Sequence, residues 1–133
     1  MRIHAREFAS VRIYIYARAK TVYFVYRGFC MYENERNVEL YFRRQVKRVL
    51  HGRAYKFVSP GSDGVPDRIA IIPCKGGEAL VRFVELKRPG GRLRQIQILR
   101  QAEMRMLGAV CRTLDSKESI DTWVREMQEA QQK

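Results

Sequence analysis

Two runs of strand-forming residues on either side of a Gly-Gly pair constrain this chain more than any other stretch. The first reads Pro66-Asp67-Arg68-Ile69-Ala70-Ile71-Ile72-Pro73 and the second Ala79-Leu80-Val81-Arg82-Phe83-Val84-Glu85-Leu86-Lys87, with Cys74-Lys75-Gly76-Gly77-Glu78 between them. Two such runs around a short glycine turn form a β-hairpin signature. If the turn is centred on Gly76, residues equally distant from it become partners. Asp67 and Glu85 each stand nine positions from Gly76, so they face each other with Cβ atoms about 4.5–5.5 Å apart. Lys87 follows Glu85 by two residues and shares its face. The reading depends on this register, because a slip of one residue sends one acid to the other side.

Two carboxylates this close repel, and one takes up a proton unless a cation sits between them. A divalent metal removes the repulsion. Mg²⁺ accepts one or two protein carboxylates and fills its other positions with water and substrate phosphate. The alternative is a structural ion pair between Lys87 and either acid, which contributes little on an exposed surface.

Composition favours the metal reading. The net charge is +12 over 133 residues and the pI is near 10.1, which calls for a polyanionic partner, nucleic acid before an acidic membrane. A chain of this length makes one domain with a modest core that a second copy would enlarge. No apolar run approaches the ~20 residues of a membrane span, and the scattered cysteines point to a reducing, cytoplasmic setting. Cys30, Cys74 and Cys111 are odd in number and scattered, and with His4 and His51 they lack zinc-site spacing. Reduced thiols are expected.

Residues 1–30 read as an appendage. Val11-Arg12-Ile13-Tyr14-Ile15-Tyr16 and Thr21-Val22-Tyr23-Phe24-Val25-Tyr26 alternate around Arg18-Ala19-Lys20, consistent with a basic hairpin. Either this segment is an extension, or translation naturally starts at Met31. The domain proper then spans 31–133. Residues 33–50 read as a helix with Val38, Phe42, Val46 and Val49 on its apolar stripe, preceded by Tyr32 or Asn34 and ended by Gly52. Arg43, Arg44, Lys47 and Arg48 cover the other face, either solvated or touching phosphate. Residues 54–59 make a short strand, and 60–65 a loop whose glycines allow close approach of a ligand. After the hairpin, residues 93–107 read as a helix with Ile96, Leu99, Met106 and Leu107 on its buried side and Gly108 as its cap. Residues 109–114 form a last strand, parallel to its neighbour by a right-handed crossover. The final helix, capped by Ser116, buries Ile120, Trp123, Val124 and Met127, and its end from 128 to 133 frays. The fold class is α/β: an αβββαβ core with a small mixed sheet flanked by helices.

With these elements placed, a family pattern emerges. Pro66-Asp67 followed by Glu85-Leu86-Lys87 resembles the PD-(D/E)xK signature of restriction-endonuclease-like nucleases. The wider set, Gly64-Val65-Pro66-Asp67, then Phe83-Val84-Glu85-Leu86-Lys87-Arg88-Pro89-Gly90, Arg92-Leu93 and Gln97, resembles the VRR-NUC branch. An acid on the leading helix and a glycine before the last strand add to this, and the resemblance covers about residues 32–125.

The resemblance implies that Asp67 and Glu85 hold Mg²⁺ or Mn²⁺, with the Leu86 carbonyl and the leading-helix acid as further ligands. That acid is Glu35, or Glu39 if the helix is rotated. It implies that Lys87 orients or activates the attacking water, or stabilises charge on the phosphate. Gln97 lies near the site, orienting water or touching the scissile phosphate. Arg88, Arg92 and Arg94 adjoin it as DNA contacts. The implied activity is metal-dependent endonucleolytic hydrolysis of DNA, as a homodimer on branched substrates such as Holliday junctions, in a phage or bacterial setting. The sequence leaves the dimer interface to the last helix around Trp123 or to residues 1–30. A nickase or flap-type nuclease on the same fold, and a non-catalytic DNA-binding module, are the alternatives.

Overall fold

A computed structural model describes residues 34–133 in full and, of the preceding segment, the backbone of residues 5–8, 11–18, 21–26 and 29–30. The chain divides into two compact units, Met1–Glu33 and Asn34–Lys133. The first contains four strands in sequential antiparallel order, β1 (Ala5–Phe8), β2 (Val11–Arg18), β3 (Thr21–Tyr26) and β4 (Phe29–Cys30). The expected hairpin is the β2–β3 pair, in which Arg18 faces Thr21. The outer strands were not expected from the sequence. Met31, the expected start of the domain proper, lies outside the described residues.

The second unit follows the expected element order: α1 (Glu35–Arg48), β5 (Arg53–Lys56), β6 (Arg68–Ile72), β7 (Leu80–Leu86), α2 (Gln95–Met106), β8 (Cys111–Leu114) and α3 (Lys117–Gln131). The sheet order is β5-β6-β7-β8. β5–β6 and β6–β7 pair antiparallel, and β7–β8 parallel. The strand of residues 54–59 is shorter than expected, because the chain leaves the ladder after Lys56. One further bond, Phe57 N–H to the Asp67 carbonyl at 2.7 Å, steers it towards the hairpin.

Alternation sorts the sheet into two faces. Arg68, Ala70 and Ile72 of β6 and Val84 and Leu86 of β7 point one way and are buried. α1 and α3 cover that face, contributing Val38, Phe42, Val46, Leu50, Ile120, Trp123, Val124 and Met127 to one core. Phe42 and Trp123 meet with ring centroids 5.3 Å apart. Each large side chain buried here stabilises the fold by about 1.5–3 kcal/mol. Trp123 is therefore core, and the last helix offers no dimer surface through it. Just past α1, Leu50 is fully buried, and Val49, expected on the apolar stripe, is only partly buried against the core.

Asn34 caps α1, its Oδ1 accepting from the Asn37 N–H at 2.9 Å. At the other end His51, not Gly52, adopts the left-handed conformation with φ 54°. Gly52 is needed for space, since a Cβ there would lie 2.4 Å from the Ile71 carbonyl oxygen. The end of α3 is fastened where fraying was expected. Gln131 donates from Nε2 to the carbonyls of Leu50 and Pro73, both at 2.8 Å.

α2 is reversed relative to the sequence reading. Its buried residues are Gln97 and Gln101, whereas Ile96, Leu99, Met106 and Leu107 are exposed. The groove that α2 covers is polar, and the helix turns its amides towards it. Gln101 Nε2 donates to Thr113 Oγ1 at 3.4 Å, and Arg105 Nη2 donates to the Cys111 carbonyl at 3.2 Å.

Candidate active site

The β6–β7 ladder runs from Ile72↔Leu80 to Arg68↔Val84, the register expected from a turn centred on Gly76. Asp67 and Glu85 follow as the next pair at the open end, on the sheet face opposite the α1–α3 core. Buried Pro66 fixes the backbone that delivers Asp67. The Asp67 N–H donates to Glu85 Oε2 at 3.2 Å.

Glu85 is only 5% exposed, and its other oxygen is also engaged. Oε1 accepts from Gln97 Nε2 at 2.6 Å and lies 3.1 Å from Lys87 Nζ. Gln97 Oε1 in turn accepts from the Arg94 N–H at 2.8 Å. One amide thus caps the start of α2 and holds the carboxylate. Gly64 seats the preceding loop against this turn: with φ +82° it approaches so closely that a Cβ would lie 2.5 Å from the Ile96 carbonyl oxygen. Arg100 Nε donates to the Asp63 carbonyl at 3.0 Å. The loop glycine expected to admit a ligand instead admits a helix.

Asp67 is the unsatisfied member. Its Oδ1 is buried and has no hydrogen-bond partner, an arrangement that costs free energy unless something else binds there. Burial pushes its carboxyl up to about 6 from 3.8, and the charge of Glu85 adds to this. Arg68 opposes the shift, and Glu39 and Glu35 reinforce it. An orphaned carboxylate oxygen beside a second, buried carboxylate fits a hard divalent cation with oxygen ligands. Among the described residues no three His, Cys, Asp or Glu side chains converge. The protein's share would be two carboxylates and a carbonyl, a set Mg²⁺ accepts. The Leu86 side chain lies in the core, so only its main-chain oxygen is a candidate.

The leading-helix acids are placed differently from each other. Glu39 forms an ion pair with Arg68, whose side chain is 9% exposed, on the core side of the sheet. It is therefore committed to Arg68, although its charge also acts on Asp67. Glu35 is exposed in the first turn of α1; its charge acts on Asp67, but it does not complete a three-carboxylate cluster. The Arg68–Glu39 pair was missed in the sequence. Alternation offered a signal: the residue after Asp67 must point into the core, and a buried arginine demands an acid.

Arg88, Arg92 and Arg94 are exposed on the segment leading from Lys87 into α2, beside the site. Arg43, Arg44, Lys47 and Arg48 are exposed on α1, which packs on the other sheet face. No described helix is long and apolar enough to cross a membrane.

No family model matches the chain. A protein of Acyrthosiphon pisum secondary endosymbiont phage 1 named "Putative nuclease p44" is 37% identical over 84 residues, which span 63% of this chain and 85% of that protein. A solved structure described as "VRR_NUC domain" superposes with a TM-score of 0.60 at 25% identity, covering 68% of this chain and 94% of the other. The helix–hairpin–helix–strand frame, the paired Asp67 and Glu85 at its open end, and these two likenesses agree: the chain belongs to the VRR-NUC family of nucleases.

Proposed function

We propose that this chain is a divalent-metal-dependent DNA endonuclease that acts as a homodimer on branched DNA, including four-way junctions. The observation that carries the proposal is the Asp67–Glu85 pair with its orphaned buried oxygen, flanked by Lys87. Asp67, Glu85 and the Leu86 carbonyl would hold Mg²⁺ or Mn²⁺, with Glu35 adding negative charge from α1. When bound, the ion neutralises the phosphodiester and lowers the pKa of the attacking water.

The chain's own groups do the rest. Asp67 must be ionised to bind. Glu85 is kept in one rotamer by the Gln97 amide, the Asp67 N–H and the Lys87 ammonium. Lys87 Nζ places a positive charge beside the carboxylates, where it can orient water and offset negative charge growing on the phosphate. Arg88, Arg92 and Arg94 would bind backbone phosphates next to the site, with Arg43, Arg44 and Lys47 as a more distant set. Two cuts in opposed strands require two sites, which a twofold dimer supplies.

The test is incubation of the purified chain with a synthetic four-way junction, a flap and a plain duplex, with Mg²⁺, with Mn²⁺ and with EDTA. Paired, metal-dependent incision of the junction is expected. Cleavage of the flap alone would replace the branched-DNA reading with a flap nuclease. Retained DNA binding without cleavage in any metal would leave a binding module.

A further inference from the structure

α2 turns its polar side inward, and this leaves an apolar surface facing solvent. Leu99 is 57% exposed, Met106 88% and Leu107 82%. Ile96, Ile98 and, just past the helix, Val110 are exposed as well. Leu99, Ala102 and Met106 are spaced three and four residues apart, so they line one stripe. Gln97 and Gln101, the inward side chains, fall on the opposite side of the same helix.

We infer that this outer face of α2 is the surface through which two copies of the chain associate. The inference rests on the dimeric reading above and names its interface. The electrostatics identify the occupant. Most of the surface of a chain with net charge +12 repels a second copy. On this face Arg100 and Glu103 pair with each other, and the exposed Arg105 beside Met106 turns its guanidinium back to the Gln101 side chain and the Cys111 carbonyl. Two copies approaching here therefore meet apolar side chains first, with the nearby cations already engaged within their own chain. A polyanion has no reason to choose an apolar face. A stripe with three-and-four spacing can pack against itself across a twofold axis, as seam positions do in helix pairs. Leu107 and Val110 extend it beyond the helix.

The geometry also links association to the site. The same helix that offers Leu99 outward presses Gln97 onto Glu85, 2.6 Å away. A dimer joined through α2 holds its two carboxylate pairs at a fixed separation, and leaves Arg88, Arg92 and Arg94 uncovered for phosphate.

The test is sedimentation of the full chain at low and high salt, compared with the double variant Leu99→Glu/Met106→Glu and the milder Leu99→Asn/Met106→Asn. Wild type should be a dimer that persists or tightens as salt screens the net charge. The Glu variant should raise the dissociation constant on the order of 100-fold, with unchanged circular dichroism and melting temperature, because the altered side chains are exposed. It should nick a junction one strand at a time. A monomeric wild type overturns the inference. So does a Glu variant that stays dimeric, or a dimer that salt dissociates. If the Glu variant unfolds, the Asn variant decides by the same measurements. Asp67→Ala should remain dimeric. If it does, and no form of the protein cleaves DNA, the nuclease reading fails while the interface stands.

Discussion

The amide of Gln97 donates to Glu85 at 2.6 Å while accepting from the Arg94 N–H at 2.8 Å. A single buried side chain thus joins the start of a helix to a carboxylate on the neighbouring strand, and the orientation of Glu85 depends on where α2 begins. Gln97→Ala should leave an uncompensated N–H and a mobile carboxylate, with metal affinity or turnover lower by about 10–100-fold. The fold should lose about 1–3 kcal/mol. Denaturant titration together with Mg²⁺-dependence of the cleavage rate would show both. Wild-type metal affinity and turnover in Gln97→Ala would remove the positioning role.

Asp67 makes the metal-free protein pH-sensitive in a stated direction. Its carboxyl is pushed up to about 6 from 3.8, so the native state binds the proton more tightly than the unfolded chain does. Its contribution is full below about pH 4, declines as pH rises from 3.8 towards 6, and is lost above. Asp67→Asn removes the charge repulsion. Without metal it should melt above wild type at pH 8 and show no advantage at pH 4. Mg²⁺ should raise the wild-type melting temperature at pH 8 and leave that of Asp67→Asn unchanged. Melting curves at two pH values, with and without Mg²⁺, decide it.

Lys87 sits 3.1 Å from Glu85, and the proposed mechanism has it act on the phosphate without recognising DNA. Lys87→Met should reduce cleavage by about 10²–10³-fold while changing junction affinity little. Gel shifts in Ca²⁺ or EDTA and single-turnover cleavage in Mg²⁺ separate the two effects. Equal losses in binding and cleavage would reassign Lys87 to substrate binding.

Glu39 and Glu35 should behave differently when removed. Glu39→Ala strands the guanidinium of Arg68 in the core, where its Nε already has no partner. Because Glu39 is partly exposed, a destabilisation of about 1–3 kcal/mol is expected. Glu39→Ala/Arg68→Met should recover much of it. Glu35→Ala should cost little stability and lower cleavage at limiting Mg²⁺. Chemical denaturation of the four proteins provides the comparison, and a Glu35→Ala that cleaves normally at every Mg²⁺ concentration would take Glu35 out of the site.

The exposed arginines beside the site predict a salt dependence. If Arg88, Arg92 and Arg94 each neutralise one phosphate, the triple alanine variant should flatten the log–log salt slope of DNA binding by about 2.7. An unchanged slope would place the phosphate contacts elsewhere, with Arg43, Arg44 and Lys47 the next set to test.

Much of this arrangement is local and was legible in the residues. A Gly-Gly turn fixes hairpin register, register fixes which side chains face each other, and the facing pair Asp67 and Glu85 follows from counting. The stripes of α1 and α3 were also legible, because each packs an apolar side on an apolar sheet face. The face of α2 was not. Helical periodicity reveals that Ile96, Leu99, Met106 and Leu107 are grouped, but not whether the group points in or out. That depends on what the helix lands on, and α2 lands on Glu85 and Thr113. The Arg68–Glu39 pair joins residues 29 positions apart, a separation no local pattern spans. Turn chemistry and alternation act between neighbours and are written in the chain; the choice of which face to bury is made only when distant polar groups meet and must satisfy one another.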